Sequence, residues 1–332
     1  MKKYLVIIGA VLMGIMSSCS SVDMLSYDQL IPADVFLPSQ IREVGVVNNM
    51  PLRSVPKSDI LTLGLLEGEG SKCSEELAGL LADSKYFDAV VISDSALQTQ
   101  QIGANEYGAQ LSLDQVNALT EQLGVDMLVS FEHLWVEAFK KNLKYPEWDA
   151  YLPVLQAKVT PVVRLYVPNR TQPMLTISLT DSLHWSEGFG ISERQVLDEA
   201  ASFAAKKVAD KMVPAWEPTE RLYFVGGCVE MRDAAVWVQE GNWNEAQNTW
   251  KKLFDRLKKG KTKVRSAYNI ALSYEMQGNI EEAEKWLKEA QKYVREGSEE
   301  AYVIKLYSEG LTERKNQLSS LNMQMSRFKD NF

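Results

Sequence analysis

Few side chains in this sequence could hold a proton, a metal or a nucleophile. Its 332 residues include two histidines, His133 and His184, and three cysteines, Cys19, Cys73 and Cys228. His184 stands in Asp181-Ser182-Leu183-His184-Trp185, which contains the residue types of a hydrolytic triad. A working triad is assembled from separate elements, so sequence neighbours are poor evidence for one. His184 instead shares strand parity with Thr176, Ser178, Thr180 and Ser182, a polar face. His133 shares parity with Met127, Val129 and Phe131, which places it in the core or at its rim. No HxxxH or CxxC spacing is present, which argues against zinc. Gly64, Gly68 and Gly70 lack the Lys-Ser/Thr and the preceding strand of a phosphate loop. The expectation is no catalytic residue, no metal, no cofactor and no enzymatic activity.

Two further stretches offer contact chemistry. Tyr145-Pro146-Glu147-Trp148-Asp149-Ala150-Tyr151 sets three aromatics among acids. It reads as a loop pinned onto the core, or else as a platform for a carbohydrate. Residues 251–265 hold eight basic side chains (Lys251, Lys252, Arg256, Lys258, Lys259, Lys261, Lys263, Arg265) and one acid, Asp255. On a chain of net charge −8 this is a local positive patch, suited to an acidic partner or to lipopolysaccharide phosphates. The bland alternative is a solvated helix end and loop. The candidate contact residues are Lys258, Lys259, Lys261 and Lys263. Reversing them to Glu is expected to spare folding and to weaken partner contact. The acidic balance argues against nucleic acid as a partner.

The elements that position these residues begin with an export signal. Lys2-Lys3 precede an apolar run at residues 4–16, too short to span a bilayer comfortably, and Ser17-Ser18-Cys19 closes it with small residues. Residues 1–18 therefore read as a secretory signal peptide. Loss of Lys2 and Lys3 leaves 34 − 44 = −10. Residues 19–42, with Pro32 and Pro38, read as a tether or an edge segment. With 45% hydrophobic and 24% charged residues, the remainder can build ordinary globular cores.

Residues 43–215 read as an α/β domain. Strands are expected at 43–47, 89–92 and 126–133, and helices at 74–87, 112–124 and 193–212, with Ser112 as an N-cap and Gly124 as a stop. Some helical content is expected at 60–66. Two alternating runs, 159–167 and 175–183, predict a hairpin, and Pro161 inside the first marks an edge or a bulge. The order is β-α-β-α-β-β-β-α, a mixed sheet with helices on at least one face. Residues 214–227 read as a brief junction. Cys73 and Cys228 would permit a disulfide in an oxidising compartment, with free burial the alternative.

Residues 216–332 read as helical. Gly241-Asn242-Trp243-Asn244-Glu245-Ala246 recurs as Gly278-Asn279-Ile280-Glu281-Glu282-Ala283, a period of 278 − 241 = 37 residues. Before each Gly stand an Ala (Ala234, Ala271) and an aromatic (Trp237, Tyr274). Beyond each later Ala stands a large apolar residue (Trp250, Leu287). Small residues let two antiparallel helices approach closely, and Gly makes the turn. Ala301, Ile304, Leu311 and Leu318 mark a further helix that could cap the stack. Trp237, Trp243 and Tyr268 are the aromatic candidates for a groove.

Three resemblances follow from these residues. Met16-Ser17-Ser18-Cys19 resembles a bacterial lipobox, with Met16 where Leu is usual. This implies a mature chain that begins at Cys19 and carries lipid, palmitate among its acyl chains; a plain secreted protein is the alternative. Ser20-Ser21-Val22 ahead of Asp23 favours an outer-membrane anchor facing the periplasm. The 37-residue units resemble divergent tetratricopeptide repeats, whose period is 34. They lack the consensus Trp and Leu-Gly of the first helix, and the final Pro. Ser84, Phe87, Val90, Val91, Gly124, Asp126, Leu128 and Val129 resemble the α/β domain of curli-secretion lipoproteins and of lipoprotein activators of penicillin-binding proteins. The layout resembles an uncharacterised Bacteroidetes-type lipoprotein family. The resemblances imply a non-enzymatic, lipid-anchored cell-envelope protein that binds an envelope protein through its repeats, as an assembly or scaffold component. The alternative is a subunit of an outer-membrane secretion or pore assembly.

Overall fold

The computed structural model describes residues 21–51, 61–93, 96–97, 109–145, 150–186 and 190–331. The signal peptide, Cys19 and residues 146–149 of the aromatic stretch lie outside the described residues. The chain divides into two compact units. One comprises Pro32–Ala215 with Met323–Phe332, the other Met1–Ile31 with Trp216–Asn322. The architecture is an α+β region with a mixed sheet, followed by a helical repeat region.

In the first unit the strands are β2 (Glu43–Asn48), β3 (Gly64–Glu67), β4 (Ala89–Ile92), β5 (Met127–Tyr145), β6 (Ala150–Tyr166), β7 (Leu175–Ser178) and β8 (Asp181–Ser186). The helices are α1 (Gly70–Asp83), α2 (Leu113–Leu123) and α3 (Glu193–Met212). The sheet runs β4-β2-β5-β6-β7, with β3 on β5 and β8 on β6. β2 pairs in parallel with β4 and with β5, and its Val44, Val46 and Val47 are fully buried. That continuous apolar run is what a strand covered on both faces requires. Leu77 and Leu81 of α1 and the alanine-rich side of α3 share one core with Met127, Val129 and Phe131. Val116 of α2 shares another with Leu128 and Tyr166. Ser112 caps α2 in a capping box and Gly124 ends it in the left-handed region.

Three expectations need correction here. Residues 64–67 form a strand rather than a helix, because Leu65 points out and Leu66 in, against β5 at Val136. The predicted hairpin exists between β6 and β7, but β6 pairs along its whole length with β5, and residues 175–183 break into β7 and β8, which follow one another along β6. Pro161 lies opposite Leu134 and, on the other side of β6, in the gap between the stretch paired with β8, which ends at Val159, and the stretch paired with β7, which begins at Val162. The bulge is on the neighbouring strand, where register shifts between Phe131 and His133.

The second unit holds β1 (Val22–Ile31), β9 (Ala215–Phe224), and helices α4 (Val229–Gln239), α5 (Trp243–Arg256), α6 (Lys261–Met276), α7 (Ile280–Tyr293) and α8 (Glu299–Met325). β1 and β9 form a two-stranded ribbon. Thus the segment read as a tether or an edge contains a strand, and the segment read as a junction is its partner. The Gly-Asn-x-x-Glu-Ala step has a physical reading at every position. Gly241 and Gly278 sit at φ 72° and 79°. Asn242 and Asn279 cap α5 and α7 by accepting the Glu245 and Glu282 amides. Ala246 and Ala283 are fully buried, as are Ala234 and Ala271, so each hairpin closes with its small residues inside.

Two glycine substitutions should have opposite signs. Gly278→Ala forces a Cβ into the left-handed region and should cost about 1–2 kcal/mol. Gly79→Ala lies inside α1 with open space around it and should stabilise by about 0.5–1 kcal/mol. Urea denaturation of each variant checks both.

Candidate functional site

On α6, Arg265, Tyr268, Asn269, Leu272 and Glu275 recur at three- and four-residue spacing, so they share one face. That face holds β9. The Asn269 side chain accepts the Phe224 backbone N–H at 2.9 Å and donates to the Phe224 carbonyl at 2.7 Å. The Tyr268 hydroxyl donates to the Leu222 carbonyl at 2.8 Å. The Phe224 ring meets the Tyr268 ring edge-on at 5.2 Å and lies under the Arg265 guanidinium at 5.0 Å. Arg265 also donates to the Glu300 carboxylate at 2.7 and 2.9 Å. On this face an amide reads a main chain and an aromatic pocket takes a side chain. Here the peptide it grips is the chain's own strand.

A carboxylate anchors the same ribbon further along. Arg221 of β9 makes two bonds to Glu275, at 2.9 and 3.2 Å, and the Tyr27 hydroxyl of β1 donates to Glu275 at 3.4 Å. Gln29 bonds Gln317 at 2.9 Å, and Arg314 donates to the Leu30 carbonyl at 2.8 Å. Burial, with the Glu275 charge behind it, pushes the Tyr27 hydroxyl up to about 12. Burial likewise pushes Tyr223 up to about 12, with Asp23 adding to it, and holds Tyr307 well above its ordinary value. The Arg221 guanidinium is raised: burial opposes its charge and Glu275 outweighs burial.

The predicted repeat residues divide by exposure. Ala234, Ala246, Trp250, Ala271, Ala283 and Leu287 are buried. Tyr274 is half-buried and receives Lys251 at 2.8 Å. Gly241 and Gly278 make the turns. Of the groove aromatics, Tyr268 is buried beneath β9, Trp243 is half-buried, and Trp237 stays 36% exposed.

The basic stretch needs a correction. Lys263 is buried inside α6, where its ammonium donates to the Phe254 and Leu257 carbonyls at 3.0 and 2.7 Å and lies 3.8 Å from the Phe254 ring centre. It caps the C-terminus of α5, which a cation does well. It is thus not an exposed contact residue. Arg256 pairs with Glu230 and Arg265 with Glu300. Lys252, Lys258, Lys259 and Lys261 remain on the surface.

In the α/β unit the bulge reverses strand parity. Leu134, Val136 and Ala138 rejoin the core of Met127, Val129 and Phe131, so His133 turns to the opposite face, against Trp135 at 4.2 Å between ring centres. At the bulge itself stands Glu132, only 2% exposed. Asn49 donates to it at 2.8 Å, Arg164 at 3.2 Å and Tyr166 at 3.2 Å. Burial raises the Glu132 carboxyl against the pull of these donors, and the Tyr166 phenol is pushed up to about 12 by burial and by Glu132. Asp181 pairs with Lys207 at 2.8 Å, and the Ser182 hydroxyl accepts from Gln156 at 2.8 Å. Cys73 is a buried free thiol of the first unit and Cys228 a half-buried free thiol of the second. Among the described residues no group of three His, Cys, Asp or Glu could hold a metal. Sequence reasoning missed the ribbon because Glu217, Pro218, Glu220 and Arg221 interrupt β9 between an exposed Trp216 and the buried residues at its end, Tyr223 and Phe224.

Residues 41–224, more than half of the chain, match the family model described as "Domain of unknown function (DUF8603)". Residues 232–313 match one described as "Domain of unknown function (DUF6340)". No curated protein matches in sequence. Similar solved structures include the PelC dodecamer from Paraburkholderia phytofirmans, 13% identical, with a TM-score of 0.25, covering 57% of this chain and 99% of that one. The hypothetical protein CT253 from Chlamydia trachomatis is 14% identical, with a TM-score of 0.27 and coverage of 51% and 96%. A minor lipoprotein from Acinetobacter baumannii is 9% identical, with a TM-score of 0.24 and coverage of 53% and 96%. At these scores the three carry no inference about activity.

Asn269→Ala should cost about 1–3 kcal/mol for each Phe224 backbone group left unpaired, read as a fall in urea midpoint. Lys263→Glu should destabilise the helical unit, whereas Lys258→Glu should not, by the same measurement. The raised tyrosines set a pH dependence. Between about pH 10 and about pH 12 the unfolded chain ionises Tyr27 while the folded chain keeps its proton, so stability falls as pH rises. Urea midpoints across that window should fall less steeply in Tyr27→Phe.

Proposed function

The chain belongs to the family described as "Domain of unknown function (DUF8603)", and from that premise we propose that it is a non-enzymatic, lipid-anchored cell-envelope protein that holds a protein partner through its tetratricopeptide-like repeats, as an assembly or scaffold component. The observation that carries this reading is where the repeat helices keep apolar side chains in water. On α4, Val229 is 57% and Val236 52% exposed, beside Trp237; on α8, Tyr302 is 64% exposed, beside Leu306. Large apolar side chains grouped on exposed helix faces mark interaction surfaces. The inner face of α6 is filled by β9, so partner contact falls to these other helices.

The anchor rests on Cys19 behind Met16-Ser17-Ser18. Several acyl chains on one residue hold a protein at a bilayer stably, at about 0.8 kcal/mol per buried methylene. Among the described residues no helix is long and apolar enough to cross a membrane. The absence of early acids after Cys19 supports an outer-membrane position facing the periplasm. Against enzymatic activity stands the employment of the polar groups: Glu132, Asp181, Glu275 and Glu300 all hold structural partners.

A second reading, a subunit of a secretion or pore assembly, is favoured by one feature. β5 and β6 pair with each other out to Tyr145 and Ala150, beyond the reach of β3 at Ala138 and of β8 at Val154. This is a different hairpin from the one at residues 159–183. Its exposed Lys140, Lys141 and Lys144 suit an aqueous or headgroup setting better than a bilayer core.

Cross-linking of the lipidated protein in intact envelopes, followed by its recovery, tests both readings. One stoichiometric partner, lost in Trp237→Glu, is the expected outcome; a ring of the protein itself would support the second reading. Recovery of neither, with a hydrolase activity lost in His184→Ala, would contradict both. Cys19→Ala should move the protein from the membrane fraction to the soluble fraction.

A further inference from the structure

The 37-residue period carries further than the two hairpins. Adding it to Val264, Ala267 and Ala271 of α6 gives Ala301, Ile304 and Ser308 of α8. Adding it to Phe254 and Leu257, at the end of α5, gives Gln291 and Val294, at the end of α7. In the second hairpin these positions are covered. Val264 is 2% exposed, and Ala267 and Ala271 are fully buried. Phe254 is sealed edge-on by Trp286 and Tyr293 of α7, at 5.2 and 6.0 Å. In the third set Ile304 is covered too, at 3% exposed, but Gln291 is exposed and Val294, Ala301 and Ser308 are half-buried, and they line an open groove of about 320 Å³ between the end of α7 and the start of α8. Here α8 has the place of a first helix, and the second helix that would close its hairpin is not supplied by the described chain. The groove is therefore the slot of that helix.

We propose that this slot takes an amphipathic α-helix from a partner protein, which completes a third hairpin by packing against Ala301 and Ser308. The inference rests on the reading of the repeats as a partner-binding module, and names the surface and the shape of what it binds. The two occupied slots define the occupant. Each is filled by a helix with a buried small residue and a large apolar residue four positions later, Ala246 with Trp250 and Ala283 with Leu287. Ser308, the counterpart of Ala234 and Ala271, offers the small floor against which such an alanine fits. Lys305 and Glu309 stand at the rim, four residues apart, and favour a helix whose flank carries the opposite charges in the matching order. A second copy of the chain is the poorer occupant. The two helices that have this pattern, α5 and α7, already bury it within their own hairpins.

The test uses the chain's own mimic of the missing helix. A fluorescein-labelled peptide of residues 279–293 is titrated against the full chain and followed by anisotropy. Saturable binding is expected. It should weaken by about tenfold or more when Ser308→Trp fills the slot, or when the peptide carries Leu287→Glu. Should Ser308→Trp fail to fold, Ser308→Leu and the exposed rim change Lys305→Glu supply the same comparison. No saturable binding, or binding indifferent to the slot variants, overturns the proposal. Self-association of the unlabelled chain in sedimentation, lost in Ser308→Trp, assigns the slot to a second copy and also overturns it. In either case a stoichiometric envelope partner still recovered with Ser308→Trp would leave the broader reading standing.

Discussion

One neutral side chain fixes how the helical unit is completed. Asn269 presents a donor and an acceptor in one plane, the complement of a peptide unit, and the Phe224 backbone satisfies both. A strand laid against a helix has no ladder on that side, and its buried amides need partners from somewhere. An aspartate could accept but not donate, and a lysine could donate but not accept. The amide does both without bringing a charge into a dry site. From that seat the rest follows: Phe224 enters the Tyr268 pocket, Arg265 can reach both Glu300 and the Gly226 carbonyl, and Arg221 arrives beside Glu275.

Charge in both units is buried by the same device. Glu132 with Arg164, Glu275 with Arg221, and Glu300 with Arg265 each place a nearly inaccessible carboxylate against a guanidinium. Such pairs add little net stability, because desolvation offsets attraction, but they penalise any arrangement that separates them. They therefore act on register. Glu132 can turn inward because the bulge leaves it outside the alternation, and Glu275 ties β9 and β1 to one point on α6. These carboxylates position strands.

Much of the architecture is legible because local rules set it. Ser112 and Gly124 bound α2, and the Gly-Asn-x-x-Glu-Ala step marks each hairpin turn. What escapes are features decided by distant residues. Nothing near His133 in sequence shows that an extra residue at Glu132 flips it to the other face. Lys263 looks like one more lysine in a solvated loop, yet Gly260 starts a helix there and the α5 carbonyls claim its ammonium. The ribbon strands carry charges that hide them, and the partners of two of these lie far away in the chain, Glu275 for Arg221 and Tyr223 for Asp23. The repeat surface that composition offers to a partner is occupied from within for the same reason.

The central claim is that the inner face of the repeats belongs to β9 and that partners must use other surfaces. Hydrogen exchange at the Phe224 amide tests it directly in the full chain. The account predicts slow exchange, at the level of the α6 core amides, and marked acceleration in Asn269→Ala. Exchange at the rate of an unprotected peptide, with α6 and α7 still protected, would contradict it and return that face to an external ligand.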